Sequence, residues 1–305
     1  MRQVAGHLVH IDGGTLIDCS FATEHEQRKR APAPKAARHI LLRRVYLNRI
    51  GSPPTTHART HTHTITMRAF LADRSPTANE QVFDSLSASP QYGERWGRHW
   101  RNIWRYSDWA GWTDNGVVRQ IRDSQRHIWR WPDGIVESLN ADRPYGVMVR
   151  SMLAADELTW RQDDELRATG FLVVNFKRFS REIWMQETVE NTAKAFLRLT
   201  RNCVRCHDHR YAPISQKEYY RFRTSFEPHQ VRADDIPGEL NLEADGLARV
   251  YDADLSTKTD LFVRGDDRNR KQDNPLLAGV PHRSLGSSSM LSPSPCAVGP
   301  RPNSP

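Results

Sequence analysis

The chain has 305 residues, a net charge of +8, and an apolar share of roughly 41% when Gly is counted in place of Tyr, below the ~45–50% of an average globular domain. No run approaches the ~20 consecutive apolar residues of a membrane helix, which excludes a spanning segment. The positive charge is spread along the chain rather than clustered among stacking aromatics, which argues against a nucleic-acid groove.

Residues 1–40 mix Gly, His and charge, run through Arg28-Lys29-Arg30 into Ala-Pro repeats, and hold no sustained period, so they read as a disordered arm. The first 20 residues lack a basic head followed by an apolar run, so no export signal is expected. Residues 41–66 read as a short helix and a low-complexity linker. The helix, over about 40–50, uses Leu41, Leu42, Val45 and Leu47, and Gly51 with Pro53-Pro54 stops it. The linker holds His57, His61 and His63, with nothing between them to fix a metal geometry.

Folded protein is expected from Met67. Ser75-Pro76 predicts a helix start with Val82, Phe83 and Leu86 on the apolar face, and Ser89-Pro90 repeats the signal. Trp96, Trp100 and Trp104 then recur at helical spacing, a stripe that reads as core before cofactor wall. Helices are predicted over 131–140, 144–157 and 181–200, and the apolar run 170–175 reads as a strand or buried turn. Ser215 and Glu218 form a capping box for a helix carrying Tyr219, Tyr220, Phe222 and Phe226. Short strands follow at 248–251 and 260–264, and the Ser/Pro/Gly-rich 284–305 reads as a disordered tail. The fold class is therefore mainly α: a helical domain over 67–230 around a CxxCH loop, a small mixed α/β appendage over 231–283, and disordered ends.

Chemistry concentrates at Cys203-Val204-Arg205-Cys206-His207. Two thiols at this spacing reach the two vinyl groups of one porphyrin, and the following histidine lies under the iron as proximal ligand. With four Cys and 13 His in the chain, chance supplies such a string only about 0.002 times. Cys19 and Cys296 lie in the segments read as disordered, so no disulfide framework is expected. Two alternatives stay open. Structural zinc would recruit Cys203, Cys206, His207 and His209, against the crowding of adjacent ligands. A dithiol redox centre needs a helix N-terminus within a βαβ unit, and no such pattern surrounds the pair.

Other polar groups carry two readings each. Arg95, Arg98, His99 and Arg105 either pair with haem propionates or decorate a solvated face. Asp156-Glu157 and Asp163-Asp164-Glu165 offer paired carboxylates for acid–base hydrolysis, and Asp108 and Asp114 among Trp109 and Trp112 offer a sugar-binding wall.

Several stretches resemble one family. Ser89-Pro90-Gln91-Tyr92-Gly93-Glu94-Arg95-Trp96, Arg98-His99-Trp100, Asn140-Ala141-Asp142-Arg143-Pro144-Tyr145, Ala155-Asp156-Glu157-Leu158 and Ala168-Thr169-Gly170-Phe171 are similar to the second planctomycete cytochrome c domain, first named as a domain of unknown function. So are Cys206-His207-Asp208-His209, Pro213-Ile214 and Tyr219-Tyr220-Arg221-Phe222. The similarity covers about 41–280. It implies covalent haem c, with Cys203 and Cys206 as thioether positions and His207 as the proximal ligand. Met148, Met152, Met185, His99 and His209 are the candidates for the sixth position. It also implies a periplasmic or cell-surface protein whose partner is a redox protein or an adjacent cytochrome domain. The absent export signal, the His-Thr tract before Met67 and the end at Pro305, where a companion domain is expected, read as a truncated frame whose product stays cytoplasmic without haem. The expected function is electron transfer or haem-linked redox. The alternatives are a non-haem, zinc-stabilised interaction module of a surface polysaccharide-handling complex, and a carboxylate-dependent hydrolase. An apolar porphyrin pocket is expected between the tryptophan helix and the Tyr219 to Phe226 helix.

Overall fold

The computed structural model describes residues 16–31, 36–54, 67–107, 112–114, 117–119, 127–159, 162–177, 180–242 and 244–279. The histidine-bearing linker, the tail, Asp108, Trp109 and the side chains of Trp112 and Asp114 lie outside the described residues. The chain divides into two units, Met1–Leu41 with Gly286–Pro305, and Leu42–Leu285.

In the first unit, helix α1 (Leu16–Gln27) falls inside the segment expected to be a disordered arm. No Gly or Pro interrupts it, and Arg28 reaches back one turn to Glu24 at 2.5 Å.

Helix α2 (Arg38–Arg49) ends at Gly51, whose φ of +76° suits a residue without Cβ. Its buried side chains are Leu42 and Tyr46, while Leu47 faces solvent, so the apolar face is narrower than the four residues expected. Leu42 and Tyr46 pack with Phe70 of α3 (Met67–Ala72) and with Ala78, Val82 and Leu86 of α4 (Ala78–Ser87). Helix α4 starts after Thr77 rather than at Ser75-Pro76, which sits in the preceding turn. Phe83 is not core: its exposed ring lies 3.4 Å from the guanidinium carbon of Arg49.

Helix α5 (Pro90–Ile103) and helix α6 (Arg130–Asn140) approach closely because Gly93 has no side chain. A Cβ there would fall 2.5 Å from the Val136 carbonyl oxygen. The Gly93 amide donates to Asn140 Oδ1 at 2.8 Å, and Asn140 Nδ2 returns a bond to the Pro90 carbonyl at 3.1 Å. Trp104 is fully buried and stacks on Trp100 at 4.9 Å, whereas Trp96 is only half-buried beside Tyr92 and His99. Between these helices β1 (Trp112–Asp114) and β2 (Val117–Arg119) pair antiparallel.

Helix α7 (Tyr145–Leu158) is broken at Ala154, and α8 (Asp163–Leu166) leads through a 3-10 turn, Arg167–Thr169, into α9 (Gly170–Val173). Expected as a strand or buried turn, 170–175 begins as helix. Its apolar run is continuous because Phe171, Leu172, Val173 and Val174 are all buried, which hides any period. Helix α10 (Arg181–Thr192) is capped by Ser180, whose hydroxyl accepts the Ile183 amide. It widens into a π turn, Ala193–Leu197, before Arg198 reverses the chain at φ +55°.

Helix α11 (Gln216–Arg223) carries the expected capping box and buries Tyr219, Tyr220 and Phe222. Two antiparallel pairs follow, β3 (His229–Asp234) with β4 (Leu247–Asp252), and β5 (Thr259–Phe262) with β6 (Arg270–Leu276). Ala248, Val250 and Phe262 join the same core as Trp131, Phe171, Trp184, Tyr219 and Tyr220. The molecule is mainly α with a small α/β part, and no described helix is long and apolar enough to cross a membrane.

Candidate functional site

The CxxCH segment is a single 3-10 turn, Cys203–Arg205, anchored by the fully buried Val204. The amide of Cys206 donates to the Cys203 carbonyl at 3.2 Å, and so does that of His207 at 3.4 Å, closing the loop on itself. Helix α11 holds it from one side. Gln216 Nε2 donates to the Arg205 carbonyl at 2.8 Å and to the Phe262 carbonyl at 2.9 Å, and Tyr220 Oη donates to the Arg205 carbonyl at 3.2 Å. Asp208 Oδ1 accepts the Gln216 amide at 2.6 Å, an anion at the start of α11. The turn is therefore tied to both α11 and the end of β5.

Both thiols are free, with Cys203 exposed and Cys206 half-buried. His207 is exposed, and its Nδ1 lies 2.7 Å from the Asp208 carbonyl. A carbonyl only accepts, so the proton sits on Nδ1 and the lone pair on Nε2 is available to a metal. His209 has the opposite arrangement: its Nδ1 accepts the amides of Tyr211 at 3.2 Å and Ala212 at 2.8 Å, which puts its proton on Nε2. His209 thus closes a loop in this structure and offers no ligand lone pair. Among the described residues the donors of Cys203, Cys206, His207 and His209 are not gathered around one point. A crowded zinc set is not assembled.

Two buried arginines flank the motif and differ. Arg223 pairs with Glu182 at 2.6 and 2.9 Å and with Glu227 at 2.6 Å, charges that offset the cost of its burial. Arg201, two residues before Cys203 and equally inaccessible, has all three guanidinium nitrogens buried without a hydrogen-bond partner. The ring of Phe222 lies 5.0 Å from its guanidinium carbon, and burial holds its pKa below the ordinary value.

The remaining candidates are dispersed. Met148, Met152 and Met185 are buried in the main core, and His99 is exposed on α5. Arg98 and Arg105 are exposed, whereas Arg95 packs its stem against Gly51. Trp104, Trp131, Met148 and Met152 line a cavity of about 20 Å³, room for a water molecule and far too little for a porphyrin. Tyr219 and Tyr220 are likewise consumed by protein packing. Helix α5 packs on α6, and α11 on α10 and β5, so each of the two helices expected to share a pocket has other neighbours. Among the acidic groups, Asp163 and Asp164 are exposed, and Glu165 is locked by Arg143 and by the Ser151 hydroxyl at 2.7 Å. That arrangement is a structural ion pair, without the free carboxylate pair a hydrolase needs. Asp156 is not paired with its neighbour Glu157; it faces His229 and Asp252.

The supporting residues Asp208, Gln216 and Tyr220 are not marked as a site by the sequence. Only Asp208, adjacent to the motif, carried a local signal.

The model of PSCyt2, protein of unknown function (DUF1549), matches residues 16–231, and the chain belongs to this family. The match begins earlier and ends sooner than the resemblance read over 41–280, and it leaves β4, β5 and β6 outside. No curated protein and no solved structure is similar to the chain.

Proposed function

We propose that the domain binds one covalent haem c through Cys203, Cys206 and His207 and serves electron transfer or haem-linked redox outside the cytoplasm, opposite a redox protein or an adjacent cytochrome domain. The observation that carries this reading is the pairing of two free thiols, one exposed and one half-buried, with a histidine whose Nδ1 is committed to a carbonyl. The residues present fit the group: the thiols are accessible for thioether formation, and His207 Nε2 is free to ligate iron. When bound, haem supplies one-electron chemistry. The chain's part is to hold His207 in one tautomer and to fix the turn through Gln216 and Tyr220.

The test is to fuse the full chain to an export signal, produce it with c-type maturation machinery, and stain a denaturing gel for haem peroxidase activity. A stained band is expected, because thioether bonds survive unfolding and coordination does not. A colourless band in a host that matures a control cytochrome overturns the reading.

A further inference from the structure

We propose that Asp156, His229 and Asp252 form a binding site for one divalent transition-metal ion, separate from the CxxCH motif. The three come from the far end of α7 and from facing positions on β3 and β4, where His229 and Asp252 are directly opposite in the register. One donor atom from each lies within 4.8 Å of the others, the spread that a single ion spans.

Four side-chain atoms here are buried and make no hydrogen bond to another residue: both carboxylate oxygens of Asp156, Nδ1 of His229 and Oδ1 of Asp252. His229 is 4% exposed, so its ring is shielded from bulk solvent. One such atom is a cost that a fold tolerates; four on three facing residues, with His229 Nε2 only 3.6 Å from Asp252 Oδ1, share a common remedy, a positive charge among them. The protein's own cations do not provide it. Arg249 acts on Asp156 from a distance while its Nε is bonded to Asp234. Arg181 is engaged with the carbonyls of Glu227 and His229. One imidazole nitrogen and two carboxylates facing one another are a ligand set.

One imidazole nitrogen with two carboxylates selects a borderline cation such as Zn²⁺ or Co²⁺ over Ca²⁺ or Mg²⁺, which prefer all-oxygen shells. Asp252 is 20% exposed and gives the ion a way in. Nothing about the reading depends on haem, and Asp252 lies outside the matched 16–231.

The experiment uses the full chain stripped with a chelator, titrated with Zn²⁺ by calorimetry and with Co²⁺ by absorption. One Zn²⁺ per chain is expected, in the parent and equally in a Cys203→Ser/Cys206→Ser double variant. The Co²⁺ spectrum should show d–d bands without intense thiolate charge transfer. Asp156→Asn should weaken Zn²⁺ by more than the roughly 10–100-fold that follows loss of an outer-shell partner. The metal-free Asp156→Asn protein should unfold at higher urea than the metal-free parent, because a buried repulsion is gone, which shows that its lost binding is not misfolding. Asp252→Asn, at the more exposed position, repeats the comparison. Zn²⁺ that vanishes in the double cysteine variant, or affinity unchanged in both aspartate variants, overturns the site.

Discussion

Gly265 lies against the sulfur of Cys206: a Cβ on Gly265 would fall 2.6 Å from Sγ and 3.4 Å from the Arg205 carbonyl oxygen. Its φ is +76°, a conformation that side chains resist. The turn after β5 therefore shapes the floor under the second thiol. This contact also explains why 231–279 matters to a motif that the family model encloses by itself: the strands hold the CxxCH turn through Phe262 and Gly265.

Gly265→Ala should accordingly lower stability by about 1–3 kcal/mol, from left-handed strain of about 1–2 kcal/mol plus the steric contact. The same variant should speed thiol labelling of Cys206 and leave the exposed Cys203 unchanged. Urea denaturation and timed labelling of each single-cysteine form measure the two effects. Equal acceleration at both thiols would mean general loosening, not a local contact.

Arg201 gives a prediction of opposite sign. A cation buried without a hydrogen bond, with only the Phe222 ring against it, is paid for by the rest of the fold, so Arg201→Leu should stabilise the haem-free protein by about 1 kcal/mol. Arg223→Leu should instead destabilise it by about 2–4 kcal/mol, because Glu182 and Glu227 then lose their hydrogen-bonded cation and keep only the longer pairs to Arg270 at 3.8 Å and Arg181 at 3.6 Å. Paired urea curves settle the contrast, and a loss of stability on Arg201→Leu would show that the guanidinium has a partner.

How much of this was legible in the sequence depends on how local each cause is. The CxxCH turn, the Ser215–Glu218 capping box and the tryptophan spacing are written within a few residues, and each is present. Strands β4 and β5 announce themselves through Ala248, Val250 and Phe262, but their partners β3 and β6 are polar sequences, HQVRAD and RKQDNPL, held by pairing and not by pattern. The apolar run 170–175 hides its helical start because every side is buried. The Asp156–His229–Asp252 cluster was not legible at all. It exists only once β3 and β4 register and α7 packs nearby, and Asp156 beside Glu157 in sequence suggested the wrong partner.

Glu165 sets an acid limit on stability. Burial pushes its carboxyl up, but hydrogen bonds from Arg143 and Ser151 outweigh this and hold it below the usual carboxylate range. In the unfolded chain it titrates near ~4.3, so the contribution is complete above that pH and is lost as pH falls through the lower folded value. Glu165→Gln should cost about 1–2 kcal/mol at pH 7, with the difference from the parent shrinking below about pH 4. Unfolding free energies across pH 3 to 7 test it, and a constant difference would assign the loss to packing.

The final prediction separates chemistry from folding within the motif. Cys203 and His207 are exposed, so Cys203→Ser and His207→Ala should change haem-free stability by no more than about 0.5 kcal/mol. Cys206→Ser, half-buried against Gly265, should cost about 1 kcal/mol. The effects on haem retention should run in a different order. Either cysteine variant should retain haem through one thioether with reduced yield, the double variant should retain none after denaturation, and His207→Ala should keep its covalent haem while its optical spectrum changes. Asp208 keeps its bond to the Gln216 amide in all four, so the turn itself stays in place. Haem staining and spectra of the same preparations used for urea curves make the comparison direct. If haem loss followed the stability order instead, with Cys206→Ser worst and Cys203→Ser unaffected, these residues would be supporting a fold and not attaching a cofactor.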